Sequence, residues 1–123
     1  MSNKIIFETN VVSVGSQAES FLSDSNLIVL FGYNAPESLA DYCYIIKVEN
    51  VIEPITTGMQ LVIGDTPYPI TAVGDLVTKN LSDLGHITIN FDGSTTADLP
   101  GTLCVKKEKE VSINVGTTLS ITK

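Results

Sequence analysis

The stretch that decides the fold reads Leu84-Gly85-His86-Ile87-Thr88-Ile89-Asn90-Phe91-Asp92-Gly93. After Gly85 the side chains alternate between polar and apolar, which is typical of a half-buried β-strand. Three large apolar residues fall on one face, and His86, Thr88 and Asn90 fall on the other. The pattern therefore predicts a strand that packs one face on a core and presents His86 on its polar face.

Similar runs, rich in Val, Ile, Thr and Tyr, recur at short spacing along the chain. They comprise Ile5 to Val14, Leu27 to Phe31, Tyr42 to Val48, Gln60 to Ile63, Tyr68 to Val73, Thr102 to Lys106, Val111 to Val115 and Leu119 to Thr122. Many short strands separated by turn residues are typical of a sandwich or a barrel. No repeat of fixed period is visible in the sequence.

Turn residues between these runs indicate how the strands pair. Gly64-Asp65-Thr66-Pro67 has the composition of a hairpin loop, and Asp92-Gly93-Ser94 opens a longer connection to Pro100-Gly101. Both favour antiparallel neighbours. The charged stretch from Lys106 to Glu110 is predicted as the solvated end of a further hairpin. We therefore expect residues 1–123 to form a single all-β domain, an antiparallel barrel with short helical connectors.

Three short helices are predicted between the strands. Ser16 is placed to cap the first, with Glu19 returning the hydrogen bond in a capping box. Pro36 suits the first turn of the second helix. The third is expected from Thr78 to Leu84, ended by Gly85 in a left-handed conformation.

Composition and charge exclude several classes of function. The chain has 123 residues and a net charge of -7, whereas nucleic-acid binding requires clustered Lys and Arg. The longest apolar run, Leu27 to Phe31, is far shorter than the about 20 residues of a membrane span, so direct membrane insertion is not expected. The stretch from Met1 to Glu8 lacks the apolar core of a secretory signal, and we expect a cytoplasmic protein.

The residues that carry chemistry are few. Cys43 and Cys104 lie far apart in apolar segments, without a CxxC spacing or a histidine cluster, so buried free thiols and no metal site are expected. The carboxylates show no paired spacing for acid–base catalysis, and motifs for phosphate-binding loops or dinucleotides are absent from the sequence, so no cofactor is expected. His86 is the only histidine, and any imidazole chemistry must use it.

Several segments together resemble one protein family. They read Tyr68-Pro69-Ile70-Thr71-Ala72-Val73-Gly74, Asn80-Leu81-Ser82-Asp83-Leu84-Gly85-His86-Ile87-Thr88, Phe91-Asp92-Gly93 and Leu99-Pro100-Gly101-Thr102. A weaker match extends upstream through Phe31-Gly32, Ala35-Pro36-Glu37 and Asp41-Tyr42-Cys43-Tyr44-Ile45. On these residues the chain resembles the glucitol/sorbitol-specific IIA component of the bacterial phosphotransferase system.

The resemblance implies a phosphoryl carrier. Proteins of this family accept phosphate from the histidine of the small carrier HPr and pass it to the IIB component, which feeds the IIC membrane transporter. The relay requires neither magnesium nor nucleotide. Transfer needs a neutral imidazole, a hydrogen bond that holds its other nitrogen, and donors for the phosphate oxygens. Thr88 and the backbone N–H groups of the Gly85 turn are candidates for those donors.

The chain departs from the family at the expected acceptor. The resemblance places the phosphorylated histidine at the position of Ile46, and a second histidine of some relatives at Cys104. Ile46 shares a strand face with Tyr44 and is predicted to be buried. Three hypotheses follow: His86 is the catalytic acceptor, Cys104 or Cys43 accepts phosphate as a thiolate, or the chain is a transfer-inactive IIA-like binding or regulatory module.

Overall fold

A computed structural model of the protein describes residues 4–123. This part of the chain forms eight strands and three short helices. The elements are β1 (Ile5–Val14), α1 (Ala18–Ser25), β2 (Leu27–Phe31), α2 (Glu37–Ala40), β3 (Cys43–Ile46), β4 (Gln60–Ile63), β5 (Thr66–Val73), α3 (Val77–Leu84), β6 (Ile87–Asn90), β7 (Thr102–Val105) and β8 (Thr118–Thr122). The strands close a barrel in the order β1-β3-β2-β6-β7-β5-β4-β8. The predicted all-β barrel with helical connectors is confirmed.

Strand pairing in the barrel is mostly antiparallel, with two exceptions. The hairpin predicted at Gly64 is confirmed, because β4 and β5 are antiparallel neighbours. The pairs β2 with β3 and β6 with β7 are parallel, so the antiparallel pairing predicted from Asp92-Gly93-Ser94 is wrong. A parallel neighbour requires a connection that crosses to the other end of the sheet. The segments 32–42 and 91–101 make those two crossings.

Two local predictions are also wrong, and one is confirmed. Residues Val111 to Val115 form no strand, so the charged stretch before them is not a hairpin end. Ser16 does not cap α1, which begins at Ala18 without a side-chain cap. A tertiary bond sets this helix start instead, because the Gln17 N–H donates to the Asp41 carbonyl at 2.7 Å. Gly85 does end α3 in the left-handed conformation, with φ 68°.

The barrel contains an internal repeat that the sequence did not reveal. The half from β1 to β3 has the same pairing as the half from β5 to β7, with every partner displaced by 59 positions. Thus Val14 pairs with Tyr44 in the first half, and Val73 pairs with Leu103 in the second. The parallel pairs and the bulge before each strand end repeat with the same offset. The two halves therefore repeat one arrangement of strands, although no repeat of fixed period is visible in the sequence.

Few side chains are shared between the two halves. From Ile5 to Lys47 the identical pairs are Val14 and Val73, Gly15 and Gly74, Leu22 and Leu81, Ser23 and Ser82, Asp24 and Asp83, Ile28 and Ile87, and Lys47 and Lys106. A strand position requires only an apolar or polar side chain on the correct face, so most equivalent residues differ without loss of the fold. The glycine pair is constrained more tightly, because Gly15 and Gly74 each approach a carbonyl of the crossing segment.

The helices α1 and α3 lie at opposite ends of the barrel. Helix α1 joins the end of β1 to the start of β2, and α3 joins the end of β5 to the start of β6. Ala18 contributes to the core from α1, and Val77 and Leu81 contribute from α3. We refer to these as the α1 end and the α3 end. Among residues 4–123 no helix has the length and apolar character needed to span a membrane.

The long loop between β3 and β4 is joined to both termini of the described chain by Glu53. Its carboxylate forms ion pairs with Lys4 and with Lys123, the latter at 2.7 Å. Hydrogen bonds from Lys123 and then Lys4 lower the pKa of Glu53 to about 2. Because the pKa is depressed in the folded state, the stabilisation is complete above the ordinary value of 4.5 and disappears as the pH falls towards 2.

We expect Glu53→Gln to lower the free energy of unfolding modestly at pH 7, since Glu53 lies partly in solvent and screening weakens the pairs. The difference from wild type should shrink as the pH falls from 4.5 to 2. Urea unfolding across this pH range measures it, with Glu108→Gln, another exposed carboxylate, as the control. A difference that grew on acidification would contradict the assignment.

Candidate functional site

His86 lies at the α3 end of the barrel, between the left-handed turn at Gly85 and the start of β6. Its backbone N–H donates to the Asn80 carbonyl at 3.2 Å, which fixes the chain as it leaves the helix. The predicted alternation holds, because Ile87 and Ile89 point into the core whereas His86 is half-buried on the outer face. The imidazole is therefore on the outer wall of the barrel.

Phe31 stacks on the His86 ring. Their ring centroids are 4.0 Å apart and the planes differ by 12°. The antiparallel register of β2 and β6, in which Val29 faces Thr88, brings the end of β2 beside His86. Burial lowers the pKa of His86 below its ordinary value of 6.5, so the imidazole is neutral at pH 7. This is the state in which an imidazole nitrogen can act as a nucleophile.

The expected hydrogen bonds around the imidazole are missing in part. Within residues 4–123, neither ring nitrogen of His86 forms a hydrogen bond, so the predicted partner that would fix its tautomer is not found there. The backbone donors expected at the turn are also engaged, because the Gly85 N–H donates to Leu81 and the His86 N–H to Asn80. The Thr88 hydroxyl makes no hydrogen bond with a described residue. It lies on the same face of β6 as His86, so it remains able to donate a hydrogen bond to a phosphate oxygen.

We expect Phe31→Ala to raise the pKa of His86 towards 6.5, because removal of the stacked ring exposes the imidazole to water. His86 is the only histidine, so one imidazole resonance followed by proton NMR against pH measures the pKa directly. Phe21→Ala is the control, since Phe21 lies on α1 and packs edge-on against Tyr42. An unchanged titration in Phe31→Ala would contradict burial by this ring as the cause.

Ile46 lies close to the same turn but on the other side of the barrel wall. It ends β3, points inward and is 0 % exposed, so its predicted burial is confirmed. Its Cγ1 is 3.4 Å from the point that a Cβ on Gly85 would occupy. The structure thus brings the position expected to carry the acceptor beside the backbone that precedes His86, while the two side chains face opposite ways.

Both cysteines are buried free thiols, as predicted. The Cys43 thiol donates to the Leu39 carbonyl at 3.1 Å, and burial raises its pKa. Burial also raises the pKa of Cys104, and the charges of Asp92 and Asp98 raise it further. A thiolate is the nucleophilic form of cysteine. The hypothesis of a cysteine acceptor therefore finds no support in these surroundings.

Exposed apolar side chains surround the His86 turn. Val48 and Leu84 are both exposed, and each approaches Gly32. The Val48 Cγ2 lies 2.5 Å from the point that a Cβ on Gly32 would occupy. The Leu84 carbonyl accepts the Gly32 N–H at 3.0 Å. The residue after Gly32, Tyr33, is also exposed. An apolar patch around His86 was expected from the sequence as a docking surface, but Phe31 and the residues that form the patch were not identified, because they come from three separate segments.

No cluster of three or more histidine, cysteine or acidic side chains suited to a metal ion occurs among residues 4–123. The chemistry available at this site is therefore that of an imidazole, a hydroxyl and an apolar surface. It suits transfer of a group between proteins, because the patch offers a docking surface beside a nucleophile.

The chain is similar to a defined group of bacterial proteins. Residues 6–120 match the family described as "PTS system glucitol/sorbitol-specific IIA component". The glucitol/sorbitol-specific EIIA components of Shigella flexneri and Escherichia coli (strain K12) are each 39% identical to it over 101 residues, which cover 82% of this chain and 81% of each relative. The crystal structure of the PTS system IIA component from Enterococcus faecalis V583 superposes with a TM-score of 0.81 at 28% identity, over 92% of this chain and 97% of that one.

Proposed function

Because the chain belongs to the glucitol/sorbitol-specific IIA family of the phosphotransferase system, we propose that it carries a phosphoryl group on His86 between the carrier HPr and a IIB component. The observation that carries the assignment of the residue is the neutral, solvent-accessible imidazole within an apolar patch at the α3 end. This side chain is also the sole histidine of the sequence. The partners, the cytoplasmic location and the supply of a IIC transporter are parts of the same proposal.

The transfer step balances without a cofactor. The unprotonated nitrogen of His86 attacks the phosphorus of phosphohistidine in HPr, and a new P–N bond forms. The bond from phosphorus to the donor imidazole breaks, and its electron pair stays on the donor nitrogen. The same exchange in the next complex passes the phosphoryl group to IIB. Catalysis then consists of positioning the two proteins and stabilising the oxygens of the transferred phosphoryl group. The Thr88 hydroxyl takes part by donating a hydrogen bond to one of these oxygens.

Incubation of the protein with enzyme I, HPr and labelled phosphoenolpyruvate tests the proposal. We expect acid-labile label on wild type and on Cys43→Ala and Cys104→Ala, and complete loss of label in His86→Ala. Thr88→Val should slow labelling by about tenfold, since one hydrogen bond to a charged oxygen is lost. Label that persists in His86→Ala would refute the residue assignment. Folding of each variant is checked by its thermal transition.

A second candidate is a transfer-inactive binding module of the same family. The observation in its favour is Ile46, a fully buried apolar residue where the resemblance places the acceptor. The two functions separate in the same experiment. Absence of label on wild type, together with an HPr complex that is weakened by Leu84→Asp in the apolar patch, would favour the binding module.

A further inference from the structure

A wide cleft opens at the α1 end, opposite the end that carries His86. Its volume is about 650 Å³, within the range of sites for small molecules. One wall is α1 from Glu19 onward with the turn at Asn26, and the other is the irregular segment 107–114. Because the strands of the two halves pair in the same way, each position that lines this cleft has an equivalent position at the α3 end.

The equivalent place at the α3 end is closed. There the loop after β3 packs against α3: the Val51 N–H donates to the Ser82 hydroxyl at 3.3 Å, and the Ile55 N–H donates to the Thr78 hydroxyl at 3.0 Å. At the α1 end the residues equivalent to Thr78 and Ser82 are Glu19 and Ser23, and both line the open cleft. The cleft is thus a difference between two otherwise matched ends.

The hydroxyl of a largely buried tyrosine opens onto this cleft. Tyr44 is 2 % exposed and lines the cleft from β3, where the second half has Leu103. Its hydroxyl makes no hydrogen bond with any residue from 4 to 123. Burial and the charge of Glu19 raise the pKa of Tyr44, which keeps the hydroxyl protonated and neutral. No buried side-chain oxygen or nitrogen among residues 4–123 lacks a hydrogen-bond partner, so the Tyr44 hydroxyl is reached from the cleft, where water or a ligand satisfies it.

The charges of the cleft select the kind of ligand. Glu19 and Asp24 form no ion pair with a described residue, whereas Glu110 lies 3.6 Å from Lys107. The last turn of α1 carries no basic side chain, so the negative end of the helix dipole adds to the charge of Asp24. This electrostatic potential repels phosphate and other anions and favours a cation with hydrogen-bond donors.

We propose that the cleft at the α1 end binds a primary ammonium group, held by the carboxylates of Glu19 and Asp24 and by the hydroxyl oxygen of Tyr44. An ammonium group donates three hydrogen bonds, which matches these three acceptors. The apolar side chains of Leu22 and Val111 border the same cleft and contact the alkyl chain that follows the ammonium. The ammonium belongs either to a free alkylamine or to a lysine side chain of a partner protein.

NMR titration of the full chain tests the site with two probes. Cadaverine represents a free alkylamine, and lysine blocked at both backbone ends represents a partner's side chain. We expect saturable shifts at the backbone amides that surround the cleft, at an ionic strength of about 0.15 M. Tighter binding of one probe identifies the source of the ammonium, and either result supports the site.

Three variants separate the site from general surface charge. Glu19→Gln should weaken binding by about tenfold, and Tyr44→Phe, which keeps the ring, by about threefold. The matched control is Asp83→Asn, since Asp83 occupies at the closed end the position that Asp24 has at the open end. Equal weakening by Asp83→Asn and Glu19→Gln, shifts that do not saturate, or competition by sorbitol at the same amides would each overturn the proposal.

Discussion

Replacement of Gly74 by alanine should lower the free energy of unfolding by about 3 kcal/mol. A Cβ at this position would lie 2.3 Å from the Pro100 carbonyl oxygen and 2.6 Å from that of Leu99. The backbone cannot yield easily, because the Gly74 N–H donates to Thr102 and the Leu76 N–H donates to Pro100, both at 2.9 Å. Relief of the contact therefore breaks hydrogen bonds that join the turn before α3 to Pro100 and to the start of β7.

Urea unfolding of Gly74→Ala measures the loss, and two further variants make it specific. Gly15 is the equivalent glycine, with the Asp41 carbonyl oxygen 2.3 Å from its added Cβ, so Gly15→Ala should cost a similar amount. At Gly101 the nearest atom would be 3.7 Å away, and Gly101→Ala should stay within about 0.5 kcal/mol of wild type. A tolerated alanine at both Gly15 and Gly74 would contradict the close crossing in each half.

The second large effect concerns a pair of equivalent leucines. Leu81→Ala should lower the free energy of unfolding by about 3 kcal/mol, because Leu81 is 0 % exposed and its removal leaves a cavity beneath α3. Leu22 holds the same place on α1 but is only partly buried beside the open cleft. Leu22→Ala should therefore cost about 1 kcal/mol.

Chemical denaturation of the two variants compares the barrel ends directly. Leu81→Ala should also broaden or shift the imidazole resonance of His86, since α3 ends at the turn that positions this residue. Leu22→Ala should leave that resonance unchanged. Equal costs at the two positions would mean that the α1 end is packed as tightly as the α3 end, contrary to the open cleft.

Most strands were predictable because their signal is local. Alternation between apolar and polar residues requires only that a strand bury one face, and β1, β2 and β4 occur at the bounds that the pattern predicted. Gly85 was equally predictable, since a left-handed residue at a helix end favours glycine. The strand expected from Val111 to Val115 does not form. Ile113 packs on the core, but no neighbouring strand pairs with this segment.

The candidate site was predictable only in its central residue. His86 is the sole imidazole, and the polar face of β6 placed it outside the core. Its stacking partner Phe31 follows from the register between β2 and β6, and Val48 approaches from the loop that follows β3. No spacing along the chain encodes such contacts between distant strands.

The sequence by itself determined the all-β class, the family and the identity of the one available imidazole. The tertiary structure alone decided the parallel crossings, the 59-residue repeat and the neutral, stacked state of His86. It also decided that one barrel end is closed and the other is open beside Tyr44. The physical reason is that local patterns specify which face of a segment is buried, whereas the closure of the barrel specifies which buried faces meet.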